Sequence, residues 1–215
     1  MTAAKSNALS RRAALALAAA LIAAPLAAPA EAAAARDASA EAFVQTEASR
    51  ALTILAGRTA VAAKTQAFRA FVDQVADVPR ITNFVLGKYA RSITPAQRGQ
   101  FAPLFREYAS NVYESRLGEY RGEKLRVTGS VIRQPGDVVV ESEVYGGQLN
   151  KPIVVKWRVS KAGAGWKVID VQVAGVWLAI TQQQDFVSTI DNAGGNVDAL
   201  INQLRQQVAG QNGRR

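Results

Sequence analysis

Residues 124–174 read KLRVTGSVIRQ PGD VVVESEVY GGQLNK PIVVKWRVS KAGAG WKVIDVQVA, and the spacing of apolar residues in this run decides the fold. Apolar and polar residues alternate, the period of a strand that buries one face. Residues 124–134 predict a first strand with Leu125, Val127 and Val131 on one side, and Pro135-Gly136-Asp137 is a turn. Residues 138–145 predict a second strand, closed by Gly146-Gly147. A third covers 152–160, with Ile153, Val155, Trp157 and Val159 on one face; after the Gly-rich loop Lys161 to Gly165, a fourth covers 166–174. Four strands joined by short turns predict an antiparallel meander.

Outward from this run the period changes to that of helices. On the N-terminal side, Val44, Ala48, Ala51, Leu52 and Leu55 share one face of a helix over 39–56 that stops at Gly57. Phe68, Phe71, Val72 and Val75 predict a second helix over 64–76. Asp77 caps a third, with Pro79 in its first turn and Ile81, Phe84 and Val85 as its stripe. Thr94-Pro95-Ala96-Gln97 is a capping box with proline at the first helical position. Phe101, Leu104, Phe105, Tyr108 and Val112 continue that helix to about 117. On the C-terminal side a helix over 181–192 breaks at Gly194-Gly195, and Asn196 caps a last one over 197–209 with Val197, Leu200, Ile201, Leu204 and Val208 on one face. Helices, then a meander, then helices predict one α+β domain over residues 33–209, and a four-stranded sheet with amphipathic helices over one face readily leaves room to enclose an apolar pocket, filled or not. A flexible leader at 33–38 and a disordered tail at 210–215 flank it.

The first 32 residues read as a cleaved signal peptide. Met1 to Arg12 carries Lys5, Arg11 and Arg12 and no acid, Ala13 to Ala28 is apolar, and small residues offer cleavage after Ala30 or Ala32. The apolar stretch is short of the ~20 residues of a spanning helix and is interrupted by Pro25. Ser10-Arg11-Arg12 with Leu15 also fits a twin-arginine signal, so export by either route stays open. The remainder of the chain has 23 basic and 16 acidic residues. For an exported protein this surplus points to anionic membrane surfaces or acidic lipid headgroups rather than nucleic acid.

The sequence contains no Cys and no His. That excludes disulfides, thiol nucleophiles, serine–histidine triads and the usual zinc ligands. Glu141 and Glu143 share a strand face, the arrangement of a paired-carboxylate site, but a solvated face opposing Lys156 and Arg158 on the next strand accounts for them better. Asp170, beside Trp166 and Lys167, reads as a strand carboxylate holding a hydrogen bond or ion pair. Gly194-Gly195 is followed by no Lys-Ser/Thr, so it is no phosphate loop. No constellation supports an enzyme, a metal or a cofactor. What remains is apolar: Phe43, Phe68, Phe71, Phe84, Phe101 and Phe105 in the helical half, and Trp157, Trp166 and Trp177 on or after the strands.

Several stretches carry a family resemblance. Asp77-Val78-Pro79-Arg80-Ile81 followed by Val85-Leu86-Gly87-Lys88-Tyr89, Thr94 to Arg98 with Phe101, Phe105 and Tyr108, Trp166 to Val171 running to Gly175-Val176, and Gly194-Gly195 with Leu200-Ile201 and Leu204 resemble the MlaC/Ttg2D-type periplasmic lipid carriers over residues 40–208. The chain departs from that pattern after Gly175-Val176. Trp177-Leu178-Ala179 and Gln182-Gln183-Gln184 stand where the family has Ser-Leu-Val and Tyr-Arg, a variation closer to its hopanoid-associated branch. The resemblance implies a soluble periplasmic shuttle for phospholipid or a hopanoid-like lipid between outer and inner membranes. It also implies two partners: an inner-membrane ABC transporter with an MCE-domain protein, and an outer-membrane lipoprotein complex. Its acyl pocket would lie between sheet and helices, lined by Phe68, Phe71, Phe84, Val85, Phe101, Phe105, Val140, Val155, Trp157, Val173 and Trp177. Two other readings stand beside it: a periplasmic solute-binding component of an ABC importer for a non-lipid ligand, and a carboxylate enzyme or structural adaptor using Glu141 or Asp170.

Overall fold

The computed structural model describes residues 35–117 and 120–212; the proposed signal segment, residues 1–32, and the end of the tail lie outside them. Six α-helices and five strands follow in chain order: α1 (Ala38–Ala56), α2 (Val61–Val75), α3 (Val78–Val85), a 3-10 turn (Gly87–Arg91), α4 (Pro95–Leu117), β1 (Glu123–Gln134), β2 (Asp137–Gly146), β3 (Ile153–Ala162), β4 (Gly165–Val173), β5 (Val176–Trp177), α5 (Leu178–Asn192) and α6 (Val197–Asn212). The sheet is antiparallel throughout, in the order β1-β2-β3-β4-β5. The α+β architecture is the expected one.

Local chemistry explains the element ends. The Thr94 N–H donates to Gln97 Oε1 at 3.1 Å and the Gln97 N–H donates to Thr94 Oγ1 at 3.2 Å, the reciprocal bonds of a capping box. Asp77 accepts the Arg80 N–H at 3.1 Å and caps α3. Residues 35–37, expected to be part of a flexible leader, are pinned instead. Arg36 makes two bonds to Glu41, at 2.8 and 2.7 Å, and Asp37 caps α1 while its N–H reaches Ser130 Oγ at 2.9 Å. At the other end α6 runs on to Asn212, three residues into the segment expected to be disordered.

Two differences from the expected sheet have clear causes. A fifth strand exists because the chain doubles back at Ala174-Gly175, both at positive φ (48° and 88°), and pairs Gln172 with Trp177 and Val173 with Val176. Two paired residues are too few to show an alternation. Ala174 carries a Cβ in the left-handed region, which is unfavourable for every residue but Gly, Asn and Asp. Ala174→Asn is expected to raise stability by about 0.5–1 kcal/mol, read as a rise in the thermal unfolding midpoint; an unchanged or lower midpoint would show that this turn carries no strain. The second difference is a bulge in β1 between Val127 and Gly129, where the extra residue reverses the in–out phase. Ser130 therefore points inward and is buried, and Val131, expected on the Leu125/Val127 side, points outward with 56% of its surface exposed.

The apolar residues form two cores. In the first, α1 and α2 cover one sheet face, and Ala40, Val44, Phe71 and Val75 pack on Val138, Val140, Val159, Trp166 and Val168. The Trp166 indole N–H donates to Ser39 Oγ at 3.1 Å, tying α1 to β4. In the second, α3 to α6 pack on one another around Phe101, Phe105 and Phe186. Phe101 and Phe105 stack with ring centroids 5.8 Å apart, and Phe186 meets both edge-on at 81°. The elbow between α2 and α3 joins the halves, with the Asp77 N–H donating to the Val168 carbonyl at 2.9 Å.

Candidate functional site

Between the two cores α2 faces α4 across a narrow cleft. Phe68, Arg69, Val72 and Asp73 lie one turn apart in pairs on α2, Arg106 and Ser110 are one turn apart on α4, and Val78 at the start of α3 completes the lining. Phe68, Val72 and Val78 form the apolar part. Phe68 lies 5.9 Å from Phe71, ring to ring, so this wall of the cleft packs against the first core. The lip is polar. Arg106 pairs with Asp73 across the gap, and Arg69 Nη2 reaches Asn111 Oδ1 at 3.5 Å, the outer limit of a hydrogen bond. One turn before Arg106, α4 contains Pro103, which has no N–H to donate to the Gly99 carbonyl, so the helix ladder is broken there.

The cleft has a volume of about 50 Å³, whereas formed ligand pockets occupy ~300–1,000 Å³. In this conformation it has room for a few water molecules but not for an acyl chain. Any larger occupant has to part α2 from α4.

The eleven expected lining residues distribute unevenly. Phe68 lines the cleft, and Phe71, Val140 and Trp157 belong to the first core and not to the cleft lining. Val155 is buried on the same sheet face. Val85, Phe101 and Phe105 belong to the second core, fully enclosed by their own helices and Phe186. Phe84 and Val173 are each 38% exposed, and Trp177 is half-buried at the start of α5. The physical reason is common to all: apolar periodicity marks a face that leaves water, and it is the same whether that face meets side chains or a ligand. Beyond Phe68, the cleft residues Arg69, Val72, Asp73, Val78, Arg106 and Ser110 were absent from the expected set. Val72, four residues after Phe68 on the predicted stripe, was open to sequence reasoning; the charged lip had no apolar period to reveal it.

The carboxylates once weighed as catalytic are committed elsewhere. Glu141 pairs with Lys156 at 2.7 Å directly across from it, as expected, but Glu143 pairs with Arg126 on β1 at 2.6 Å. Arg158 binds Asp137 through two bonds, at 3.0 and 2.6 Å. The Arg158 guanidinium holds the Asp137 carboxyl below the usual carboxylate range. Asp170 is buried, and burial raises its pKa, with backbone N–H bonds opposing the shift. It accepts the N–H of Val171 and of Ala179, each at 2.8 Å. Because Trp177 offers no side-chain cap to α5, Asp170 caps that helix from the neighbouring strand.

A meander sheet roofed by two helices and a second helical core beside it, with an apolar cleft at their junction, define an α+β fold. The family model described as MlaC protein matches residues 45–206, and the chain belongs to the MlaC family. A similar protein is the "Intermembrane phospholipid transport system binding protein MlaC" of Haemophilus influenzae, 26% identical over 130 residues. That alignment spans 58% of this chain and 59% of the relative. Among solved structures, the phospholipid-binding protein from Ralstonia solanacearum in complex with a phospholipid superposes with a TM-score of 0.71 at 29% identity. The match covers 81% of this chain and 99% of that one.

Proposed function

We propose that this protein is a soluble periplasmic lipid carrier. It takes the acyl chains of a phospholipid or a related lipid such as a hopanoid and carries out no reaction on them. It passes the lipid between outer and inner membranes, working with an inner-membrane ABC transporter that bears an MCE-domain protein and with an outer-membrane lipoprotein complex. Residues 1–32 are the signal that exports it. The observation that carries this reading is the apolar cleft at the junction of two separately packed cores, in a chain of the MlaC family whose structural relative is described with a bound phospholipid. Moving α2, which carries Phe68 and Phe71, away from α4 would widen the cleft toward the sheet face bearing Val140 and Trp157 without dismantling the second core.

The energetics suit the task. Each CH₂ removed from water is worth ~0.8 kcal/mol, so a 16-carbon tail gains ~12 kcal/mol in a dry pocket. Such a chain does not cross an aqueous gap unaided. The gain is large enough to offset the apolar contacts between α2 and its neighbours that opening breaks.

The test is lipid extraction and native mass spectrometry on protein purified from its own compartment. Wild type is expected to carry phospholipid. Val72→Asp sets a carboxylate on the apolar wall and is expected to keep its circular dichroism spectrum while lipid affinity falls about 100-fold. A wild-type protein that carries no lipid and takes none from vesicles sinks the carrier reading and leaves a non-lipid solute as the ligand. A folded Val72→Asp variant with undiminished lipid moves the site elsewhere.

A further inference from the structure

The antiparallel order puts the β1–β2 turn and the β3–β4 turn at one end of the sheet. The two turns touch. The Lys161 N–H donates to the Gly136 carbonyl at 2.8 Å, and a Cβ on Gly136 would lie 3.3 Å from the Lys161 side chain. The one acid of the two turns is Asp137: residues 131–137 read Val-Ile-Arg-Gln-Pro-Gly-Asp and residues 161–167 read Lys-Ala-Gly-Ala-Gly-Trp-Lys. Val131 and Ile132 are 56% and 40% exposed, and Arg133 and Lys161 are exposed beside them. Arg80 of α3 joins the group by donating to Ser160 Oγ at 2.9 Å, and Lys167 donates to the Gln74 carbonyl. Among the described residues Arg80, Arg133, Lys161 and Lys167 are in no ion pair.

The carboxylates that face this end are already engaged. Asp137 is buried and held by Arg158, with Arg133 and Arg80 adding to the pull that keeps it ionised. Asp37 and Asp77 cap α1 and α3, Asp170 caps α5, and Glu41 holds Arg36. The charge left exposed is positive.

We propose that this end of the sheet is a docking surface for an anionic phospholipid bilayer. Exposed aliphatic side chains set among cations are the chemistry of interfacial attachment: the aliphatics enter the boundary between headgroups and acyl chains, and Lys and Arg meet the anionic headgroups. Protein-binding hot spots centre instead on an aromatic or Arg anchor that fills a pocket on the partner. The one aromatic of these turns, Trp166, is buried, with the Lys161 ammonium 4.5 Å above its ring. The small residues Ala162 to Gly165 leave the tip smooth enough to lie against headgroups. The surface also adjoins the cleft, because Val78, which lines it, is two residues from Arg80. Docking here holds the cleft beside the bilayer. The surface itself stands whether or not the cleft takes lipid, and the two are measured separately.

The experiment is co-sedimentation of the purified protein with vesicles of phosphatidylglycerol and phosphatidylethanolamine, against vesicles of phosphatidylcholine alone. Binding is expected only to the anionic vesicles, and it weakens as salt is raised. Arg133→Gln with Lys161→Gln is expected to weaken it about 30-fold. Val131→Asp, at an exposed site outside both cores, weakens it as well and guards against misfolding of the double variant. Lys88→Gln with Lys151→Gln, equal in charge change but placed elsewhere, leaves binding unchanged. Lipid content by native mass spectrometry stays at the wild-type level in all of them if the carrier reading holds. Equal binding by wild type and the variants at this end overturns the proposal. So does binding that appears only when membrane proteins are added, which points to a protein partner.

Discussion

Tying α2 to α4 is expected to stop lipid uptake. The chain has no Cys, so Asp73→Cys with Arg106→Cys introduces the only two thiols, at the positions whose side chains meet across the cleft lip. A reducible bifunctional thiol reagent then closes the gap. The cleft is far smaller than an acyl chain in the conformation described, so binding requires a second, open conformation. If the link holds that open state below about 1% of its normal population, apparent affinity falls about 100-fold, because affinity scales with the fraction of binding-competent protein. Reduction restores uptake. The unlinked double variant lacks the Arg106–Asp73 pair and is expected to load at least as fast as wild type, since an exposed ion pair contributes little to stability and here opposes opening. Uptake that persists in fully cross-linked protein places lipid entry somewhere other than between α2 and α4. Thermal stability checks that the link has not unfolded the domain; it should rise.

Much of the fold was legible in the sequence because its signals are local. The capping box at Thr94, the cap at Asp77 and the Gly194-Gly195 break each act within a few residues, and each is present where expected. The strands were legible because Ile153, Val155, Trp157 and Val159 alternate without interruption. Where alternation is broken, the reading fails for a physical reason. The β1 bulge inserts one residue and turns Ser130 inward and Val131 outward; its one local sign is the mid-strand Gly129, which the alternation alone passes over. The fifth strand pairs two residues only, below any period.

The site was less legible than the fold, and the division into two cores is why. Phe71, Phe101 and Phe105 look alike in sequence, each on a helical stripe, yet Phe71 packs on the sheet and the other two on Phe186. Which stripe meets which depends on long-range packing that no window of sequence contains. The same limit hid the partners of Glu143 and Arg158: strand spacing put Glu141, Glu143, Lys156 and Arg158 on one face, but Arg126 and Asp137 decide the pairs actually formed. The polar lip of the cleft joins residues 33 positions apart, Asp73 and Arg106, and only the meeting of α2 and α4 makes them a pair.

Asp170 is where one side chain joins the sheet to the second core, and its replacement carries the second large effect. It is buried on β4, accepts the Ala179 N–H at 2.8 Å and lies across from Arg158 in the ladder. Asp170→Ala leaves buried N–H groups without an acceptor and removes the only side-chain cap of α5 among the described residues. The loss of the cap and the unsatisfied donors together cost about 2–4 kcal/mol, measured as a fall in unfolding free energy by urea titration. Asp170→Asn keeps an acceptor oxygen in place and costs less. The two variants also separate cap from charge. Burial raises the Asp170 pKa in the folded protein, so the stability this group contributes is fully present below its unfolded pKa of about 3.9 and is lost as pH rises through the folded value. Asn cannot ionise and escapes that loss. The deficit of Asp170→Asn relative to wild type is therefore largest below about pH 4 and narrows as the pH climbs toward 7. A deficit that widens over the same range would mean that the ionised carboxylate, through Arg158 and the α5 N-terminus, outweighs its burial. A deficit equal for Ala and Asn would remove the capping role.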